Sequence, residues 1–149
     1  MDRDRVMLTA RGRAMLTARL EELTEQVLPS MRPLLVEDER DERVVADFER
    51  LEAEHDRLAA LLGTAGTIDE ATLGATVSLG SRVVVRDSEG RPVTVRIVHP
   101  AEAFLDDERI SAQSPLARAL MGHSVGDRCE VHAPGGTWTA EVLQVGPGD

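Results

Sequence analysis

Lysine and tyrosine are absent from this 149-residue chain, and cysteine occurs once, at Cys129. All 17 basic residues are arginine. The missing lysine excludes Schiff-base and pyridoxal chemistry, and with them the GK[ST] phosphate loop. A single cysteine excludes an intrachain disulfide and any CxxC zinc or redox site, and agrees with a reducing compartment. Two Phe and one Trp are the only aromatic residues, so the core must be aliphatic. No apolar run approaches the ~20 residues of a membrane-spanning helix. The opening MDRDRVMLTARGR lacks the apolar stretch of a secretory signal. A cytoplasmic protein without membrane association is expected.

Positive charge is also scarce. Acids number 27, for a formal net charge of −10. This balance argues against duplex DNA as a direct partner, because that surface needs clustered cations. An enzyme that itself handles nucleic acid remains open as a partner. The acidity is local: residues 37–57 hold ten acids against four Arg.

What is present follows two different grammars. Over 12–62 the apolar residues recur at helical spacing. Leu16, Leu20, Leu23 and Val27 begin a stripe that Met31 and Leu34 continue, and Val44, Phe48, Leu51, His55, Leu58 and Leu62 form a second one. Both are heptad seams. Between them lies Glu37-Asp38-Glu39-Arg40-Asp41-Glu42-Arg43, without an apolar residue. Two matched seams around a short polar break predict an antiparallel helical hairpin. Thr9 is placed to start the first helix and Gly63 to stop the second. Pro29 and Pro33 predict a kink or interrupted turn in the first.

From Gly74 onward the period is two. Val83 and Val85, then Val93, Val95 and Ile97, read as strands joined by the turn Asp87-Ser88-Glu89-Gly90. Pro115 to Met121 reads as a short helix with Ser114 as N-cap and Gly122 closing it. Arg128 to His132 and Thr137 to Val145 read as two more strands. The expected architecture is α+β: a helical finger over 1–66, then over 74–149 a twisted antiparallel sheet with one short helix.

The second half carries Ile110-Ser111-x-x-Ser114-Pro115-Leu116-Ala117-Arg118-Ala119-Leu120-x-Gly122-x-x-x-Gly126-Asp127, then Pro134-x-Gly136. With Leu8-Thr9-x-x-Gly12 at the start and Ile68-Asp69 at the junction, the chain resembles the GreA/GreB family of bacterial transcription elongation factors over nearly its whole length. The resemblance implies that 1–66 is a coiled-coil finger inserted into the secondary channel of RNA polymerase. It implies that 74–149 is a domain of FK506-binding-protein-like (FKBP-like) fold, docking on the channel rim through Gln113, Ser114, Pro115 and Leu116. Acids at the fingertip would help hold a magnesium ion of the polymerase active site, where backtracked RNA is cleaved. The factor itself is then no enzyme, has no intrinsic metal or cofactor, and meets DNA and RNA only within the elongation complex. A monomer is the expected state, because the hairpin buries its seam internally.

Against the family's tip, Gly-Asp-x-x-Glu-Asn-Ala-Glu-Tyr, this chain reads Arg40-Asp41-Glu42-Arg43-Val44-Val45-Ala46-Asp47-Phe48. Asp41 takes the first acid position. Val44 and Val45 replace the second acid and the Asn. Asp41 and Glu42, with Asp38 and Glu39 nearby, are the candidate tip acids. Gln113 stands where the family often has Asp or Asn. Three readings stay open: a factor that stimulates transcript cleavage, a Gre-like inhibitor or regulator that occupies the channel without doing so, and a binding module for another partner, as in short-armed Rnk-type relatives. His55 reads as a register-setting polar residue in the seam, with a pH sensor as the minority reading. His99, His123 and His132 lack ligand spacing. Cys129 and Trp138 read as core residues. With only Phe104 and Trp138 as aromatics in the second half, prolyl isomerase activity is not expected, and fold alone would not license it.

Overall fold

The computed structural model describes residues 5–36 and 41–147. The chain divides into two compact units, Met1–Val6 with Arg13–Gly66, and Met7–Gly12 with Thr67–Asp149.

The first unit is helical. It holds most of α1 (Ala10–Glu22), a π-helical turn (Leu23–Val27), α2 (Leu28–Leu35) and α3 (Glu42–Thr64). Arg13 donates to the carbonyls of Leu62 and Ala65, and Arg19 forks onto the Glu54 carboxylate at 2.8 and 3.1 Å. Moving forward along α1 therefore moves backward along α3, which makes the pair antiparallel, as the matched seams predict. Leu16, Leu23, Leu28 and Leu58 are buried. On α3 the other seam members Val44, Phe48, Leu51, His55 and Leu62 are each half-buried. Burying a leucine side chain stabilises by about 1.5–3 kcal/mol, so these few positions carry the hairpin.

Two local expectations are corrected. The first stripe continues half-buried through Val27 and Met31 but not through Leu34. The π-turn, closed by the Leu28 N–H donating to the Leu23 carbonyl, inserts one residue, and the buried position moves to Leu28 while Leu34 is exposed. Pro29 supplies the physical reason: it has no N–H for the carbonyl four residues back, and its ring would press on that carbonyl in a regular helix. Gly63 does not stop α3. It lies inside the last turn, and the helix ends one residue later, with Ala65 extended and its N–H bonded to the Leu61 carbonyl at 2.9 Å.

The second unit begins with β1 (Met7–Leu8), whose Leu8 carbonyl accepts from the Ile68 N–H at 2.8 Å, just after β2 (Gly66–Thr67). Its main body is a five-stranded sheet ordered β5-β4-β3-β7-β6. The strands are β3 (Arg82–Arg86), β4 (Pro92–Val98), β5 (Arg109–Ser111), β6 (Arg128–Ala133) and β7 (Gly136–Gly146). The β4-β3-β7-β6 part is antiparallel, as the alternating valines predict. The edge strand β5 is the addition. It pairs parallel to β4, Ile97 opposite Ile110, so the sheet is mixed rather than purely antiparallel. Residues 99–108 provide the crossover that a parallel pair requires. The short helix α4 (Pro115–Leu120) packs Ala117 and Leu120 against Val83, Val85, Val95, Ile97, Val131, Ala140 and Val142. Cys129 is buried in this core, and burial pushes its thiol pKa up. Trp138 packs half-buried at its margin. The observed architecture is thus the expected one of a helical region followed by a curled sheet with one helix.

Candidate functional site

The Ser-Pro-Leu-Ala stretch folds as a helix start. Ser114 has extended backbone, and its Oγ accepts from the Ala117 N–H at 3.3 Å. Pro115 occupies the first turn, where a missing N–H is harmless. Just upstream, the Gln113 N–H donates to Ser111 Oγ at 3.1 Å, and the Ser114 N–H to the Ser111 carbonyl at 2.9 Å. These bonds fix the entry to α4. Because Ala117 and Leu120 face the core, Gln113, Pro115 and Arg118 are turned to solvent and Leu116 sits half-buried against the core.

Four docking candidates were legible from the motif. Gln113 and Pro115 also line a shallow groove with Arg118, Ala119, Glu130 and His132. The last two are outward-facing residues of β6, which no motif marks; only the strand's alternation places Glu130 and His132 on one face. Neither Arg118 nor Glu130 has an ion-pair partner among the described residues. The groove is therefore an open polar surface with one free charge of each sign. The loop after α4 is fixed by Asp127, which accepts from the Ser124 N–H at 2.8 Å and lies 3.2 Å from His123 Nδ1. The Ser124 bond, then the His123 contact, hold its carboxyl below the usual range.

Of the tip candidates, Asp41 and Glu42 stand at the start of α3, and both are exposed. Asp38 and Glu39 lie outside the described residues. Asp41 is the N-cap of α3: its Oδ1 accepts from the Arg43 N–H at 2.8 Å. One oxygen of the first tip acid is thus engaged by its own helix. The N-terminal end of a helix carries partial positive charge, which stabilises this carboxylate but works against a cation placed beside it. Val44 and Val45, which the resemblance sets against the second acid and the Asn, are half-buried in the helical unit. Among the described residues, no three or more His, Cys, Asp or Glu side chains come together as a metal site.

A third constellation was not foreseen. Glu102 is completely buried. Its carboxylate accepts from the Thr9 N–H at 2.8 Å and from Thr9 Oγ1 at 2.5 Å, and lies 3.5 Å from Arg109 Nε. Thr9 Oγ1 in turn accepts from the Gly12 N–H at 3.0 Å, so Thr9 caps α1 as expected. A Cβ on Gly12 would sit 1.7 Å from Glu102 Oε1. The Leu8-Thr9-x-x-Gly12 motif is therefore a cap and a gap built for one carboxylate 93 residues away. Arg109 also pairs with Asp106. Burial pushes the Asp106 carboxyl up, but the Arg109 backbone bond, its charge and its guanidinium outweigh this and hold it below the usual range. Nothing in the spacing of the sequence pairs 9 with 102.

With this geometry in place, comparison with known proteins is decisive. The profile of the family described as "Transcription elongation factor, GreA/GreB, C-term" matches residues 72–147, the sheet, α4 and the groove. A protein named transcription elongation factor GreA from Thermotoga neapolitana is 31% identical over 95% of this chain and 97% of its own.

The chain belongs to the GreA/GreB family.

Other GreA/GreB-family relatives align over less. Proteins named GreA from Cereibacter sphaeroides and Chelativorans sp. are 42% and 46% identical, each over 59% of this chain and 57% of their own. The chain thus spans a little over half the length of these relatives. Among solved structures, Gfh1 of Thermus thermophilus and of Thermus aquaticus are each 32% identical, cover 95% of this chain and 98% of theirs, and have TM-scores of 0.42 and 0.44. Among the described residues of this GreA/GreB-family chain, no helix is long and apolar enough to cross a membrane.

Proposed function

We propose that the protein is an accessory factor of RNA polymerase, not itself an enzyme, that docks through the α4–β6 groove and inserts its helical hairpin into the secondary channel. Gln113, Ser114, Pro115 and Leu116 form the first wall of that groove. On this reading the protein regulates elongation by occupying the channel and gives little stimulation of transcript cleavage. One observation carries this choice: the first candidate tip acid caps α3, while the half-buried Val44 and Val45 stand where the family has its second acid and an Asn. Hard cations such as magnesium need several oxygen ligands, and the described tip offers Glu42 and one free oxygen of Asp41.

The second reading keeps cleavage stimulation. It is favoured by the exposure of both Asp41 and Glu42 at one helix end. Here these two, with Asp38 and Glu39, would approach the magnesium of the polymerase. The protein supplies carboxylates in that case, and the metal and the chemistry remain the polymerase's.

Binding to core polymerase tests the first statement. Wild type is expected to bind, and Pro115→Ala to bind at least about tenfold more weakly, as for a central contact. A wild type that does not bind core polymerase removes both readings. Transcript cleavage by backtracked complexes then separates them: stimulation that disappears with Asp41→Asn and Glu42→Gln selects the second.

A further inference from the structure

A helix start is ordinarily prepared by its own first turn. Acids there suit the positive end of the helix dipole. In a capping box, a Glu or Gln three residues after the capping Ser or Thr accepts from the capping residue's own N–H. The start of α1 lacks both. Thr9 caps it, but its first turn contains no acid and carries Arg11 and Arg13, with Gly12 at the third helical position. The arginines oppose the dipole, and glycine weakens a helix relative to alanine. Read locally, this is a poor place for a helix to begin.

The missing carboxylate comes from far along the chain. Glu102 ends the 3-10 turn Pro100–Glu102, in the crossover between β4 and β5. One of its oxygens accepts from the Thr9 N–H at 2.8 Å and the other from Thr9 Oγ1 at 2.5 Å, while Thr9 Oγ1 accepts from the Gly12 N–H at 3.0 Å. These include the two reciprocal bonds of a capping box, with the glutamate at position 102 instead of 12. The substitution is also steric. A Cβ on Gly12 would lie 1.7 Å from Glu102 Oε1 and 2.2 Å from its carboxyl carbon, so Glu102 fills the space into which a side chain at 12 would project. Thr9, Gly12 and Glu102 are all buried. The turn that presents Glu102 is itself fixed: His99 Nδ1 accepts from the Ala101 N–H at 3.0 Å, and the Glu102 N–H donates to the His99 carbonyl at 2.9 Å.

We infer that Glu102 completes a capping box in trans, and that the first turn of α1 is conditional on the 99–108 crossover. With the carboxylate in place, the helix starts at Ala10. When the crossover withdraws it, nothing local replaces it, and the turn unwinds as far as Arg13. That residue is the next anchor, because its guanidinium donates to the Leu62 and Ala65 carbonyls. The crossover thus sets where the first long helix begins. This inference does not depend on polymerase binding.

Moving the carboxylate within the full chain tests this, read by amide hydrogen exchange. Glu102→Ala is expected to speed exchange at Thr9 and Gly12 at least about tenfold relative to Leu20, further along α1, and Ile97, in the sheet. Adding Gly12→Glu puts a carboxylate at the ordinary capping-box position and into the vacated space. The double variant is expected to recover protection at both amides. Gly12→Ala in the Glu102→Ala chain is the control. It removes the glycine and fills space without supplying an acceptor, and is expected to leave the Thr9 amide fast. If Glu102→Ala does not fold, recovery of folding by Gly12→Glu but not by Gly12→Ala gives the same result. The inference is overturned if Gly12→Ala protects the Thr9 amide as well as Gly12→Glu does, or if neither restores it. It is equally overturned if Glu102→Ala leaves exchange at Thr9 and Gly12 unchanged relative to Leu20 and Ile97.

Discussion

At Gly12 a single methyl group decides whether a buried carboxylate fits. A Cβ there would lie 1.7 Å from Glu102 Oε1, and Glu102 cannot retreat because Thr9 and Arg109 hold it from two sides. Gly12→Ala is therefore expected to destabilise the protein by about 3 kcal/mol or more, the range of overpacking combined with a broken buried polar network. Urea unfolding of the full chain measures this. Loss below about 1 kcal/mol would mean that Glu102 has room that the contacts deny. Asp41 presents a cleaner separation of roles at the same scale. Asp41→Ala removes the cap of α3 and is expected to cost about 1 kcal/mol, while Asp41→Asn keeps an acceptor for the Arg43 N–H and is expected to cost only a few tenths. The Asn variant thus removes the charge while preserving the cap, and any functional difference between Asp and Asn reports on charge alone.

At the scale of elements, the helices and strands were largely legible because their periods differ. Heptad spacing marked both limbs of the hairpin, and alternation marked β3, β4, β6 and β7. Ser114 and Pro115 marked the start of α4 through the ordinary chemistry of a helix N-terminus. What was not legible depends on contacts rather than on spacing. The π-turn was hidden because Val27 and Leu28, like Leu34 and Leu35, are adjacent apolar residues that fit either winding. The prolines signalled a disturbance, but not its form. The parallel strand β5 has three residues, too few to show a period. Gly63 was read as a stop because glycine commonly ends helices, yet it keeps helical geometry and a Cβ there would meet nothing within 4 Å. Gly63→Ala is accordingly expected to stabilise α3 by about 0.5–1 kcal/mol through the smaller backbone entropy of the unfolded chain. A thermal melt showing a lower Tm would contradict the helical placement of residue 63.

At the scale of the whole molecule, the acid-rich composition resolves into carboxylates with assigned partners and carboxylates without them. Glu54 is held below its ordinary range by the hydrogen bond from Arg19, and Asp106 by Arg109 against the opposing effect of burial. A carboxyl whose folded pKa is depressed contributes stability above its unfolded pKa and loses it as pH falls through the folded value. Stability is thus expected to hold from neutral pH down to about 4, the ordinary carboxylate range, and to fall below it. Asp106→Asn is expected to lower stability at pH 7 and to flatten this decline, as followed by urea midpoints across pH. Among the described residues, Arg118 and Glu130 in the α4–β6 groove and Glu42 beside the capping Asp41 have no ion-pair partner. They lie beside the residues that the family resemblance nominates for polymerase docking, Gln113 to Leu116, and for the tip, Asp41 and Glu42. One wall of the groove, Gln113 and Pro115, was legible as a motif; its β6 wall, Glu130 and His132, required the folded sheet.

The central claim, that this GreA/GreB-family chain occupies the polymerase secondary channel without supplying an effective set of metal ligands, is tested most directly by transcript cleavage in backtracked elongation complexes supplemented with a cleavage-stimulating Gre factor. Added in excess, the wild-type protein is expected to slow that stimulated cleavage, and Pro115→Ala to slow it much less. Acceleration of cleavage by the wild-type protein alone, abolished by Asp41→Asn, would contradict the claim.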